Sequence, residues 1–184
     1  MKFGFNHRFV QASDPLPTVR ARTRVSFRSI NRRGEEGYDP GLQRHHLLPR
    51  QLLNRSCFGD LFGQVGRAAV GFDDFRANGL LLPATEDATM RTGMPLHRGP
   101  HRHYNELVIE RVGRIEDRWS QARLKDTESA LTEALLRLRL LQSALRRRLL
   151  SEKKRMLLNR KDPIGTGFDF TELDAMAESL WNAT

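Results

Sequence analysis

Arg44-His45-His46-Leu47-Leu48-Pro49, Asn78-Gly79-Leu80-Leu81-Leu82-Pro83 and His97-Arg98-Gly99-Pro100-His101-Arg102-His103-Tyr104-Asn105 hold five of the chain's six histidines. Pro49 prevents a long central strand, so His45, His46, Leu47 and Leu48 read as a short one. Leu80, Leu81 and Leu82 read as a second short, buried strand, closed by Pro83. Asn78-Gly79 before it is a strong turn signal. Pro100 suits the first turn of a helix, where its missing N–H is no loss. The order is therefore strand, strand, helix start, with histidines at the first and last.

Working outward, residues 1 to about 40 read as an irregular arm. Asp14-Pro15-Leu16-Pro17 and Asn31-Arg32-Arg33-Gly34 are breakers. Between them, Val19 to Arg28 alternates loosely with arginine, which predicts an extended arm or a short edge strand. His7 stands apart as a surface residue. A helix is expected within about Arg50 to Ala69, where Phe58, Leu61, Phe62 and Val65 recur at helical spacing. Asp73 to Asn78 reads as a turn and Ala84 to Arg98 as a loop. The helix opened by Pro100 is expected to reach about Gln121, with Leu107, Ile109, Val112, Ile115 and Trp119 as its apolar positions. From Thr127 to about Leu158, Leu131, Leu135, Leu138, Leu141, Leu145 and Leu149 mark a long amphipathic helix. Its other faces carry Arg137, Arg139, Arg146, Arg147 and Arg148, then Lys153, Lys154 and Arg155. Asp126 supplies cap chemistry at its start. Thr171 to Trp181 reads as a short acidic helix. The fold class expected is α+β, mostly helical, divided as an arm (1–40), a two-strand-plus-helix core (41–125) and a helical extension (126–184).

A chain of 184 residues is long enough for one domain with its own core. The net charge of +9 comes mostly from arginine, whose planar fork of donors matches phosphate. Such an excess points to nucleic acid or an anionic surface as partner. The plainer reading is a solvated basic surface. Cys57 is alone, so neither an intramolecular disulfide nor a cysteine-type zinc site is open to the chain. No apolar run approaches the ~20 residues of a membrane span, and Met1 to His7 lacks the apolar segment of a signal peptide.

Imidazole is the commonest metal ligand and titrates near neutral pH. Adjacent histidines on a strand point to opposite faces, so His45 and His46 cannot both serve one role, and a division between them needs a strand that is short, twisted or at its end, as Pro49 allows. One of the pair can ligate a metal while the other activates water. The His-x-x-x-His spacing of His97 and His101 across a helix start can bring both rings to one point. His103 faces elsewhere. Each piece alone has an ordinary explanation (a chance doublet, a hairpin turn, a helix cap), and it is their combination that carries weight.

That combination resembles the AHH-type nucleases of the HNH/endonuclease VII (His-Me finger) superfamily, many of which are toxin domains of bacterial polymorphic and secreted toxin systems. The resemblance covers about Gly41 to Val112. The family pattern places alanine before the histidine pair, where this chain has Arg44, a residue that could contact the scissile phosphate. The resemblance implies a ββα-metal core and hydrolysis of phosphodiesters with little sequence specificity, DNA being favoured over RNA. It makes His46 the general base and His45, His97 and His101 the ligands of one divalent ion (magnesium, zinc, nickel or manganese). Asn78 then holds the loop that orients His46. The basic helix becomes a phosphate rail, and Arg44, Arg102, His103, Arg146 and Arg147 become candidate nucleic-acid contacts. A toxin of this type implies an acidic immunity partner and action in the cytoplasm of the producing or target bacterial cell, without a membrane partner.

Two other classes compete. A basic nucleic-acid-binding or packaging protein would carry the same charge, with a structural or degenerate histidine site. A membrane-active amphipathic protein would leave the histidines unexplained. The leucine stripe suits either a hairpin with the preceding helix or a homodimer.

Overall fold

The computed structural model describes residues 23–99, 101–151, 153, 156–159 and 161–164. Two strands, β1 (Leu42–His46) and β2 (Gly79–Pro83), pair antiparallel with His45 opposite Leu80 and His46 opposite Gly79. The first strand starts earlier than expected and ends before Leu47 and Leu48. The amides of both leucines are taken by Asn78, through its backbone oxygen at 2.8 Å and its side-chain oxygen at 2.7 Å. Gly79 has no side chain for a close-contact reason: a Cβ there would stand 2.2 Å from the ring of Phe75.

The segment expected as one helix after β1 is broken. Two 3-10 turns, Arg50–Asn54 and Ser56–Phe58, precede α1 (Gly59–Val65), and Gly66 at φ 84° separates it from α2 (Arg67–Val70). The stretch before Gly79 is not a hairpin turn but a helical turn, α3 (Phe75–Asn78), which Asp74 caps by accepting from the Arg76 amide. The loop after β2 contains α4 (Glu86–Thr92), started by the Thr85 cap and ended by Gly93 in the left-handed region. The short edge strand expected before Arg28 reduces, over the described residues, to one bridge between Ser26 and Asp74 and a 3-10 turn, Phe27–Ser29.

Two long helices complete the fold: α5 (Arg102–Ala122), with His101 as its cap residue, and α6 (Thr127–Leu149). The four residues between them make a helical hairpin, braced by Arg118 and Glu133. Val108, Val112, Ile115 and Trp119 of α5 meet Ala130, Ala134, Leu138, Leu145 and Leu149 of α6 in a core shared with Leu47, Leu48, Leu61 and Leu82. The buried row of α6 keeps Leu138, Leu145 and Leu149 of the expected stripe but takes Ala130, Ala134 and Gln142 in place of Leu131, Leu135 and Leu141. Alanines at 130 and 134 lie in the contact, Leu131, Leu135 and Leu141 pack at its edge, and Leu136 and Leu140 face outward. Small side chains at the crossing let the two backbones approach. α6 stops at Leu149 rather than near Leu158, and the chain turns back so that Met156 and Leu158 enter the same core. The expected acidic helix at 171–181 lies outside the described residues. No helix among those described is long and apolar enough to cross a membrane.

Candidate metal centre and nucleic-acid interface

Strand alternation separates the histidine pair. His45 is buried and faces α5, where its ring stands edge-on to Tyr104 at 4.9 Å between centroids. The Tyr104 hydroxyl donates to the Leu47 carbonyl at 2.7 Å, tying the helix to the end of β1. On the same side lie His97, 4.8 Å from His45, and His101, 5.8 Å from His45 and 4.3 Å from His97, centroid to centroid. His97 is placed by its own amide, which donates to the Pro83 carbonyl at the end of β2 at 2.6 Å. After His97, Gly99 stands at φ 80°, a left-handed conformation suited to glycine.

The three rings converge on one point. One nitrogen from each lies within 4.8 Å of the others. His45 Nε2, His97 Nδ1 and His101 Nδ1 are buried and have no hydrogen-bond partner among the described residues. Three orphaned acceptors or donors side by side would be costly in an apolar interior. Burial also depresses their basicity: His45 is held at about 2 and His97 at about 4, each lowered further by neighbouring histidines. His101 is lowered by burial too, partly offset by a hydrogen bond to the Leu158 carbonyl. All three are therefore neutral at pH 7 with lone pairs available, which is the state a divalent cation requires. An all-imidazole donor set of this kind suits a transition ion better than magnesium. The residues fit a metal.

His46 occupies the opposite face, half-buried, with its ring stacked on Phe27 at 3.8 Å and 5° from parallel. Phe27 in turn meets Phe75 edge-on at 5.2 Å. Burial lowers the basicity of His46, the Arg50 charge lowers it further, and Asp73 pulls the other way. Asn78 is fully buried. Its side chain accepts from the Leu48 amide, donates to the Leu48 and Phe72 carbonyls at 3.1 and 3.2 Å, and accepts from Gln142 of α6 at 3.3 Å. It thus fixes the turn that directly follows His46.

The expected nucleic-acid contacts fall in separate places. Arg44 is exposed on β1, with one guanidinium nitrogen on the Phe27 carbonyl at 2.9 Å. Arg102 and His103 are exposed in the first turn of α5, and His103 Nδ1 lies 3.6 Å from Glu106. Arg147 is exposed, whereas Arg146 reaches across to the Arg76 carbonyl at 2.7 Å. Arg146, Arg139 and Arg76 line a polar groove of about 360 Å³ between α6 and the α2–α3 segment. Phe27, Tyr104, Gln142 and the Leu158 segment were not among the expected site residues. Tyr104, at an i+3 position from His101, carried a local signal; the other contacts span many residues of sequence.

A family model described as a nuclease family of the HNH/ENDO VII superfamily with conserved AHH matches residues 26–145. No curated protein and no solved structure matches the chain.

Proposed function

From a chain that belongs to the AHH nuclease family of the HNH/ENDO VII superfamily, we propose a one-metal endonuclease in which the histidine pair divides its labour across β1. The observation that carries this reading is the trio of buried, unpartnered imidazole nitrogens on His45, His97 and His101, set against a His46 held on the other face. His45, His97 and His101 would hold one divalent ion. Bound there, the ion would stabilise negative charge on the scissile phosphate and the leaving oxygen. His46, neutral at physiological pH, would take a proton from the attacking water as its oxygen bonds to phosphorus. The P–O bond to the leaving oxygen would break, and that oxygen would take its proton from solvent water. Phe27 keeps the His46 ring from rotating, and Asn78 acts as a positioning residue by fixing the turn beside it.

The substrate favoured is DNA, bound without base selection. The net charge of +9 and the arginines along α6 supply phosphate contacts, and such contacts carry no sequence information. Arg76, Arg139 and Arg146 would hold a phosphate of the backbone in the groove they line, while Arg44, Arg102, His103 and Arg147 would contact it elsewhere. A role as a bacterial toxin or effector domain, opposed by an acidic immunity protein, rests on the family resemblance and on this charge.

Incubation of duplex DNA, single-stranded DNA and RNA with the metal-free protein plus magnesium, manganese, nickel or zinc, with and without EDTA, tests the reading. Metal-dependent cleavage, abolished by EDTA and by His45→Ala, is the expected result. Folded protein that cuts none of these substrates with any ion would leave a nucleic-acid-binding protein with a degenerate site.

A further inference from the structure

Beyond α6 the chain does something that the nuclease core does not require of it. After Leu149 it returns across the histidine cluster, and it touches the cluster's supports at three successive points. The Leu158 carbonyl accepts a hydrogen bond from His101. The Asn159 side-chain amide donates to the Arg98 carbonyl. Asp162, 6% exposed, accepts from the Leu96 amide at 2.8 Å through one oxygen and from the Ile164 amide at 3.0 Å through the other. Leu96 and Arg98 are the two neighbours of His97. The returning segment therefore brackets one candidate ligand on both sides and bonds directly to a second. Met156 and Leu158, buried in the core, anchor it.

The bond to His101 has a chemical consequence. His101 Nδ1 is the nitrogen without a partner, so the proton donated to Leu158 sits on Nε2. That fixes the tautomer that leaves the buried, unpartnered Nδ1 with its lone pair free beside His45 and His97. A backbone carbonyl on the far nitrogen of a ligating imidazole is the usual way a protein sets ring orientation and ligand basicity. None of residues 156–164 lies within the family-matched span of 26–145.

We propose that residues 156–159 and 161–164 form a clasp that preorganises the metal centre, with Asn159 and Asp162 as positioning residues and the Leu158 carbonyl as the outer partner of His101. The clasp sets the metal affinity of this chain without supplying a ligand. This rests on the one-metal reading above, and its test separates the two.

Metal-free full-length protein is titrated with zinc or nickel, comparing the wild type with Asp162→Ala, Asn159→Ala and Asp162→Asn. Both alanine variants are expected to bind about 10- to 100-fold more weakly. Asp162→Asn keeps a carbonyl acceptor for the Leu96 amide and recovers most of the affinity. Nitrogen-15 NMR of the metal-free wild type is expected to show His101 as the Nε2–H tautomer, and the alanine variants a mixture. A purely structural role for the segment would lower the melting temperature of the variants but leave the affinity of the folded fraction and the His101 tautomer unchanged. That result overturns the clasp while leaving the one-metal reading intact. A wild type that binds no ion overturns the one-metal reading, and the clasp with it. If Asp162→Ala does not fold, Asn159→Ala and the wild-type tautomer decide.

Discussion

The imidazole of His46 lies flat on the phenyl ring of Phe27, 3.8 Å between centroids and 5° from parallel, across nineteen positions of sequence. A stacked aromatic neighbour restricts the ring to one plane, which in the proposed mechanism would aim the proton-accepting nitrogen before substrate arrives.

Phe27→Ala removes that restraint without touching the His45, His97 and His101 cluster. Stacking worth about 0.5–1.5 kcal/mol corresponds to about a 2- to 13-fold lower turnover. In steady-state cleavage assays the expected outcome is a fall in kcat with KM nearly unchanged. Metal affinity, measured on the same preparation, is expected to stay at the wild-type value.

Asn78→Ala acts through the backbone. It strands the buried Leu48 amide and the Leu48 and Phe72 carbonyls, all now bonded to the Asn78 side chain. Buried groups left without partners cost about 1–3 kcal/mol apiece, partly relieved by relaxation, for a net loss of about 2–4 kcal/mol. Urea unfolding reads this directly. Destabilisation below about 1 kcal/mol would mean that water or Gln142 replaces the lost bonds.

The arginine groove predicts a salt effect. Replacing Arg139 and Arg146 together is expected to weaken DNA binding equally across sequences and to reduce the slope of log affinity against log salt by about 2. An unchanged slope would place both side chains off the substrate path. Turnover at saturating DNA is expected to stay within a few-fold of wild type.

Acid sensitivity of the metal-free protein follows from burial of the cluster. His45 titrates at about 2 and His97 at about 4 in the folded chain, against 6.5 when unfolded. Below pH 6.5 the unfolded chain takes up protons that these native rings refuse, so stability is whole above that pH and falls as acid is added. His45 alone costs up to about 1.4 kcal/mol per pH unit over this range. Thermal melts from about pH 7 to about pH 5 should show a steady decline, shallower in His45→Leu.

The core of the site was readable because its signals are local. Pro83 closes the second short strand, and the spacing of His97 and His101 across a helix start puts both rings on one side. Alternation on β1 also separated His45 from His46. What the residues did not disclose depends on distant partners. Phe27 meets His46 through a fold of the N-terminal segment, Gln142 reaches Asn78 from the far helix, and Leu158 reaches His101 only after α6 has ended. Two differences are of local chemistry instead. Asp73 to Asn78 reads as a turn from its Asn-Gly end, and the Asp74 cap makes that turn helical. The segment after Pro83 is not a loop throughout, because Thr85-Glu86-Asp87 carries the cap and acidic first turn of α4. On α6 the leucine spacing marks the helix and three of its buried positions, Leu138, Leu145 and Leu149, while the small Ala130 and Ala134 and the polar Gln142, which carry no apolar signal, fill the rest of the buried row.

The division of roles within the pair is the central claim, and the cleavage rate of His46→Ala loaded with its divalent ion tests it most directly. The variant keeps the three-histidine face, so it should bind the ion as the wild type does. Its single-turnover rate on DNA should fall by about 10²- to 10⁴-fold, the usual contribution of a positioned base. A metal-loaded His46→Ala protein that cuts as fast as the wild type would contradict the account.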